Sequence, residues 1–361
     1  MLKCLFLNNG NLSNESQSGA IVLSKTFFEC LQKIYGRGNV EYINISLSSF
    51  SRWKWFKGIM NVNILSVDKR YEKELLQKIK RGKYDVVVLG TSNMGFLSKK
   101  IKKQCPNCKI GVLFHNVEYQ YFQEFARIEG KHKLPLAFLA KYNEKIALHY
   151  GDVHFVLNSR DEALLREIYG FEEVVTKLPI CLKDKFVEDK IVHDDHGSVE
   201  ALFVGSDFFP NREGMDWFVD NVMPYVDIKL NIVGKGMEKY RKRWERDNVE
   251  VLGTVDDLSQ YYYNADLVVE PIFSGGGMKT KTAEALMYGK IIFGTQEAFQ
   301  GYEIKYGKNA ELCMTAQEFI CAINRWSSEK KFRKVNEISR LIFENNYSIK
   351  QMACRISDAL R

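Results

Sequence analysis

The run Leu267–Phe293, LVVEPIFSGGGMKTKTAEALMYGKIIF, decides the fold. The short apolar strand Leu267–Glu270 meets Pro271 and then Ser274-Gly275-Gly276-Gly277; apolar residues at helical spacing follow over Thr280–Tyr288, Gly289 ends them, and Ile291–Phe293 starts another strand. Strand, helix, strand in this order is the unit of a parallel sheet. Glycines between a strand and a helix N-terminus let the backbone approach a ligand closely and leave N–H groups, with the positive end of the helix dipole, aimed at it. That place suits a phosphate. Lys279 and Lys281 lie in the first helical turn, where cations oppose the dipole unless an anion arrives. One turn further in, the Glu284 carboxylate lies on the face toward the loop, where it can accept hydrogen bonds from a ribose diol. Phosphate and ribose together make a nucleotide. A glycine run alone is a weak signal, and the order of parts is what strengthens it.

The same rhythm runs along the chain. In the first half, strands are expected at Lys3–Leu7, Tyr84–Leu89, Ile110–Phe114 and Val153–Leu157, with helices over Gly19–Tyr35, Gln123–Leu148 and Asp161–Tyr169, the last capped by Ser159 and closed by Gly170. After a charged stretch without periodicity, strands return at Ala201–Val204, Lys229–Val233 and Val249–Leu252, with helices near Gly214–Val222 and over Asp257–Tyr263. Apolar strands separated by helices imply parallel sheets covered on both faces. The expectation is an α/β chain of two doubly wound, Rossmann-like domains, residues 1–185 and 200–345, joined by a linker over 186–199, with residues 346–361 a helix packing back on the N-terminal domain. Open sheets of this kind bind at the carboxyl ends of their strands, so the two domains should face each other across a cleft.

Composition narrows the class. The 361 residues carry 45% hydrophobic and 27% charged side chains, ordinary for a globular protein with two domains. No apolar run approaches the roughly 20 residues that span a bilayer, and MLKCLFLNNG turns polar too early for a signal sequence, so a cytoplasmic protein is expected. The eight cysteines are scattered as reduced thiols would be, and Cys105 and Cys108 read as a turn before a strand, since no further Cys pair or nearby His completes a zinc site. Residues 1–185 hold 29 Lys and Arg against 18 Asp and Glu, whereas the remainder holds 23 against 27. A basic first half meets something anionic. Phe50–Met60, FSRWKWFKGIM, interleaves aromatics with Arg52, Lys54 and Lys57, and Lys99–Lys103 adds charge, a composition suited to a lipid headgroup interface. It equally suits single-stranded nucleic acid, or a half-buried aromatic loop beside solvated lysines. A nucleic-acid binder explains the charge but not the glycine loop with Glu284, and no reader motif is present, so no nucleic-acid partner is expected.

The segment Pro271–Glu303 resembles the donor-binding signature of the retaining GT-B glycosyltransferases called group 1 transferases, in the branch that reads like G-x-G-x-K-x-K-x-x-E-A. Leu202–Pro224 is similar to the opening of their second domain, Val251–Pro271 to the segment that holds the nucleobase, and Phe114–Phe122, FHNVEYQYF, to a first-domain motif; Leu157–Gly170 also fits. The resemblance covers most of the chain. It implies the GT-B fold and transfer of a hexose-type sugar from a UDP- or GDP-type nucleotide-sugar to a glycan or lipid-linked acceptor, with retention, in bacterial cell-surface polysaccharide synthesis at the inner face of the membrane. It implies donor contacts from Gly253, Thr254 and Val255 beside the base, Ser274, Gly275, Gly276, Gly277, Met278 and Lys279 at the diphosphate, Lys281 and Thr282 in the first turn, and Glu284 on the ribose. His115 would face the cleft near the transferred sugar, with Lys279 as its catalytic partner at the leaving group. Gly19 opens a helix after the polar loop NNGNLSNESQS, a natural place for acceptor or diphosphate.

Two departures stand out. Many relatives carry a glutamate at the position of Gly276 and an arginine at that of Ser206. Lys279 or Lys281 are the replacements for the lost cation, with Arg212 a weaker one. Cations and helix N–H groups at the leaving diphosphate would lower the barrier without a metal. No Asp-x-Asp at a strand end argues for Mg²⁺: Asp194-Asp195-His196 lies in the linker, and Asp256-Asp257 fits a helix N-cap. No cofactor is therefore expected. The rivals within the fold are a sugar-nucleotide epimerase and a non-catalytic sugar-nucleotide binder.

Overall fold

A computed structural model describes residues 2–10, 12, 19–45, 67–190, 198–275, 277–329, 332 and 334–361. The chain divides into two units, Met1–Pro179 with Ile349–Arg361, and Ile180–Ser348. Each is built on a six-stranded sheet whose pairings are all parallel, and the chain has the α/β architecture of the GT-B fold.

In the first unit the strands are β1 (Cys4–Asn8), β2 (Val40–Asn44), β3 (Val86–Leu89), β4 (Lys109–Phe114), β5 (Val153–Val156) and β6 (Thr176–Lys177), in the order β2-β1-β3-β4-β5-β6. The helices are α1 (Gly19–Tyr35), α2 (Lys69–Gly82), α3 (Gly95–Gln104), α4 (Glu118–Glu129), α5 (Leu134–Tyr150) and α6 (Ser159–Tyr169). Strands β1, β3 and β5 are buried end to end, as a sheet covered on both faces requires. The helix expected over Gln123–Leu148 is two helices, broken at Gly130, whose φ of 112° no helix accommodates. Helix α6 takes its cap from Asn158 rather than Ser159: the Asn158 Oδ1 accepts from the Asp161 N–H at 3.0 Å, and Gly170 closes the far end in the left-handed region.

The second unit runs β7 (Val199–Val204), α7 (Phe209–Asn221), β8 (Ile228–Val233), α8 (Arg241–Trp244), β9 (Val249–Gly253), α9 (Leu258–Asn264), β10 (Leu267–Glu270), α10 (Thr280–Met287), β11 (Ile291–Gly294), β12 (Ala310–Leu312), α11 (Ala316–Ser328) and α12 (Glu337–Ile342). Its strand order is β12-β11-β10-β7-β8-β9. The last helix, α13 (Ile349–Leu360), belongs to the first unit, where Lys109 Nζ donates to the Ala359 carbonyl at 3.2 Å. The order reverses between β1 and β3 in one sheet and between β7 and β10 in the other, and it is at the carboxyl ends of strands at such reversals that open parallel sheets bind ligands. In the second unit, one of the two loops at the reversal is the glycine-rich stretch after β10.

Candidate functional site

Helix α10 starts where β10 delivers the chain, after Gly275 at φ 104° and Gly277 at φ 67°, conformations that side-chain-bearing residues rarely adopt. Its N-cap is Lys279, which has no side-chain oxygen to cap the first turn; the Thr282 N–H donates to the Lys279 carbonyl at 3.1 Å. Ser274 Oγ donates to Glu213 Oε2 at 3.0 Å, tying the loop to α7, and Met278 is buried beneath it. Gly276 lies outside the described residues.

The two lysines of the signature are placed differently. Lys279 Nζ donates to the Gly277 carbonyl at 2.8 Å and pairs with Glu297 Oε1 at 2.7 Å, while its own carbonyl accepts from the Tyr302 hydroxyl at 2.7 Å; this lysine braces the loop. Lys281 Nζ donates to Asn211 Oδ1 at 2.7 Å and lies 4.1 Å from the centre of the Phe203 ring. Burial lowers the Lys281 ammonium's pKa, with Glu270 opposing the shift. Thr282 is buried, its hydroxyl donating to Glu270 Oε2 at 2.6 Å. Glu284 is half-buried and accepts from the Tyr262 hydroxyl at 3.2 Å, and desolvation pushes its carboxyl up to about 7. Tyr262 is held by a stacked contact with Tyr288, ring centres 4.8 Å apart.

Gly253 ends β9 at φ 75°, and its carbonyl accepts from the Gly234 N–H at 2.7 Å. A Cβ on Gly234 would lie 1.9 Å from the Gly205 carbonyl oxygen, and one on Gly205 would lie 3.0 Å from Lys281 Nζ. The glycines that follow β7 and β8 thus meet backbone to backbone, the first of them beside Lys281, while Thr254 is exposed and Val255 half-buried just beyond Gly253. Arg212 is committed elsewhere: it pairs with Asp207 at 2.8 Å, and Lys239 and Tyr240 also donate to that carboxylate, which is held down at about 2 chiefly by the bonds from Lys239 and Arg212. Ser206 contributes its carbonyl, which accepts from Asn211 Nδ2 at 2.9 Å. Asp257 caps α9, accepting from the Ser259 N–H at 2.9 Å.

In the first unit, His115 follows β4 and its Nε2 lies 2.8 Å from the Gly90 carbonyl and 3.4 Å from Ser24 Oγ. A carbonyl only accepts, so Nε2 carries the proton and Nδ1 remains an acceptor. Desolvation holds the imidazole down at about 4, neutral at pH 7. Three residues on, Glu118 is buried and its carboxyl is pushed up to about 8, first by desolvation and then by Glu144. Glu144, also buried, accepts from the N–H groups of Glu118 at 2.7 Å and Tyr119 at 3.1 Å and from the Tyr169 hydroxyl at 2.6 Å, capping α4 from the side. Of the basic run, Lys100 pairs with Glu72 at 2.6 Å and Lys102 with Asp152 at 2.7 Å, while Lys99 and Lys103 are exposed. Helix α1 begins at Gly19; the loop before it is described only at residues 9, 10 and 12, and Phe50–Met60 lies outside the described residues.

Sequence reasoning passed over Asn211, Phe203, Tyr262, Glu297 and Glu270. All five lay in stretches already under scrutiny, and for Glu270 a carboxylate ending an apolar strand was the signal. Among the described residues no group of three or more His, Cys, Asp or Glu side chains is arranged to hold a metal, and no helix is long and apolar enough to cross a membrane.

Residues 198–329 match the model of the family described as glycosyl transferases group 1. A 44.6 kDa protein from the cps region of Klebsiella pneumoniae, described as uncharacterized, is 25% identical over 305 residues, 77% of this chain and 74% of that protein. Among solved structures, sucrose-phosphate synthase from Thermosynechococcus elongatus superposes with a TM-score of 0.76 at 15% identity, covering 99% of this chain and 98% of the other. Anabaena Alr3699/HepE in complex with UDP gives 0.71 at 13% identity, over 99% of each chain. The lipopolysaccharide outer core galactosyltransferase WaaB gives 0.65 at 15%, again over 99% of each.

Proposed function

We propose that this group 1 glycosyltransferase, a nucleotide-sugar enzyme of the GT-B fold, moves a hexose from a UDP- or GDP-type donor to a glycan or lipid-linked acceptor in the synthesis of a cell-surface polysaccharide. The observation that carries the donor reading is the carboxyl edge at the β7–β10 reversal, where the uncapped start of α10, the Lys281 ammonium and the bare backbone of Gly205, Gly234 and Gly253 converge, with Glu284 one turn along. The UDP bound by Alr3699/HepE and the cps-region relative favour a sugar-nucleotide donor and a surface polysaccharide.

In this reading the backbone from Ser274 to Lys279 and the first turn through Thr282 meet the diphosphate, Lys281 supplies the cation, Gly253–Val255 lie along the base, and Glu284 accepts from the ribose hydroxyls. As the sugar–phosphate bond breaks, negative charge grows on the leaving diphosphate and positive charge on the sugar. The helix N–H groups and Lys281 stabilise the first without reorganising and without a metal. Lys279 acts through the loop it braces. His115, neutral and with an acceptor nitrogen free, serves the transferred sugar, and transfer retains the anomeric configuration. Gly19 marks the loop that serves acceptor or diphosphate. The basic first unit serves a peripheral contact with an anionic membrane at its cytoplasmic face.

Melting temperatures in a panel of UDP-, GDP-, ADP- and TDP-sugars test the donor class: a matching donor at a hundred times its Kd adds about 2.7 kcal/mol. Stabilisation by none of them, with tight binding to single-stranded nucleic acid instead, would overturn the reading. Glu284→Ala should weaken the matching donor about 10- to 100-fold, the worth of hydrogen bonds to a carboxylate, with the fold intact by circular dichroism. Unchanged affinity would remove Glu284 from the ribose.

A further inference from the structure

Tyr262 lies fully buried in α9, where a phenol hydroxyl costs free energy unless it is bonded. Among the described residues its hydrogen-bond partner is Glu284, whose Oε2 accepts from the hydroxyl at 3.2 Å. The Tyr262 ring lies nearly parallel to that of Tyr288, with 4.8 Å between centres and 8° between planes. Tyr288 directly follows α10, and its N–H donates to the Glu284 carbonyl at 3.0 Å, so the stack and the hydrogen bond fasten Tyr262 to positions one turn apart on the same stretch of chain. Tyr263, next along α9, meets the edge of Tyr288 at 5.2 Å between centres, and its hydroxyl accepts from the Val187 N–H at 2.8 Å, which ties α9 to the chain before β7. A phenylalanine at 262 would fill the same stack with no hydroxyl to desolvate; what tyrosine adds is the bond to Glu284.

We propose that Tyr262 is a positioning residue for the donor ribose: its fixed phenol holds the Glu284 side chain in one rotamer, with Oε1 left to accept from the diol. This rests on the donor reading above. Oε1 takes no hydrogen bond among the described residues. A half-buried glutamate that turned freely would have several side-chain torsions to fix before it could meet a diol, at a cost in entropy. A carboxylate pinned through Oε2 has met that cost before the nucleotide arrives. Tyr262, enclosed by its stack, acts on the ribose through Glu284 alone.

The test is the affinity for UDP, or for GDP should the wild type take that base, beside the affinity for its 2′,3′-dideoxy analogue, which lacks the diol. Tyr262→Phe keeps the stack and removes the hydroxyl. It should weaken the nucleotide about tenfold and the dideoxy analogue by less than about twofold, so that the preference for the diol shrinks. In the Glu284→Ala background the same substitution should cost less than about twofold, because the phenol has lost the group through which it acts. Equal losses for nucleotide and analogue, or an undiminished tenfold loss in the Glu284→Ala background, would reduce Tyr262 to a core residue and overturn the proposal. Should Tyr262→Phe fail to fold, Glu284→Asp keeps the charge on a side chain too short to meet phenol and diol together, and should weaken the nucleotide about as much as Glu284→Ala does; wild-type affinity in Glu284→Asp also overturns the proposal. A wild type that binds neither UDP nor GDP, or a Glu284→Ala variant with unchanged affinity, sinks the donor reading and this proposal with it. A loss in Glu284→Ala with none in Tyr262→Phe sinks this proposal alone.

Discussion

At the carboxyl edge of the first sheet, Glu118 and Glu144 are both buried, and among the described residues no lysine or arginine forms an ion pair with either one; desolvation raises both carboxyls, Glu144 raises Glu118 further, and Glu144 accepts hydrogen bonds from backbone and tyrosine. At the same edge of the second sheet, Glu270 is just as enclosed and Glu284 half-buried, and the Lys281 charge pulls both carboxyls down against the desolvation that raises them. The first arrangement keeps charge out of the unit and uses carboxyl groups to fasten the start of α4. The second sets a lysine and two enclosed carboxyl groups beside a helix start without a side-chain cap. On the proposed reading, one fold repeated twice has made one edge a brace and the other a receptor for anions.

The largest effect expected from breaking this contrast is on the pH dependence of stability. The Glu118 carboxyl is raised from 4.5 to about 8, so its contribution to stability is complete below the unfolded value and is lost as pH rises through the folded one. Wild type should lose on the order of 3 kcal/mol between pH 5 and pH 8.5 from this group. Glu118→Gln, always neutral, should flatten that slope in urea unfolding while UDP affinity stays unchanged. An unaltered slope would mean that Glu118 ionises freely, and the brace would not be a neutral one.

Next in size is the removal of the cation from the second edge. Lys281→Ala should cost about 2 kcal/mol in UDP binding, close to thirtyfold, as expected for a charge-assisted contact with phosphate, and should leave uridine binding unchanged. Equal losses for UDP and uridine would show that the lysine shapes the pocket and does not meet the diphosphate.

The donor edge was legible because its parts are local. Strand, glycines, lysines and Glu284 lie within 18 residues, and the structure sets β10, the left-handed Gly275 and Gly277 and α10 where that order requires. What completes them is not local. Asn211 reaches Lys281 across 70 positions and Tyr262 reaches Glu284 across 22, pairings that exist only once β7 and β10 lie side by side. Helix α2 escaped notice because KRYEKELLQKIKRG carries only three buried side chains, Leu75, Leu76 and Ile79, on an otherwise charged surface. Strand β2 escaped for a similar reason, with one fully buried residue in VEYIN at the sheet edge. The Glu118–Glu144 brace joins two helices that periodicity had merged into one.

Sequence spacing cannot separate the two lysines of the signature, whereas their partners can. Lys279 already spends its ammonium on Glu297 and on the Gly277 carbonyl, so a diphosphate would have to compete with an ion pair for it. Lys279→Met should therefore weaken UDP by less than about fivefold, below 1 kcal/mol, the cost of a looser loop. The same loosening should show as faster amide exchange at Gly277 and Met278, which Lys281→Ala would not produce. A loss from Lys279→Met as large as that from Lys281→Ala would mean that the Glu297 pair opens when donor binds, making Lys279 a second cation on the diphosphate and the edge a two-lysine receptor.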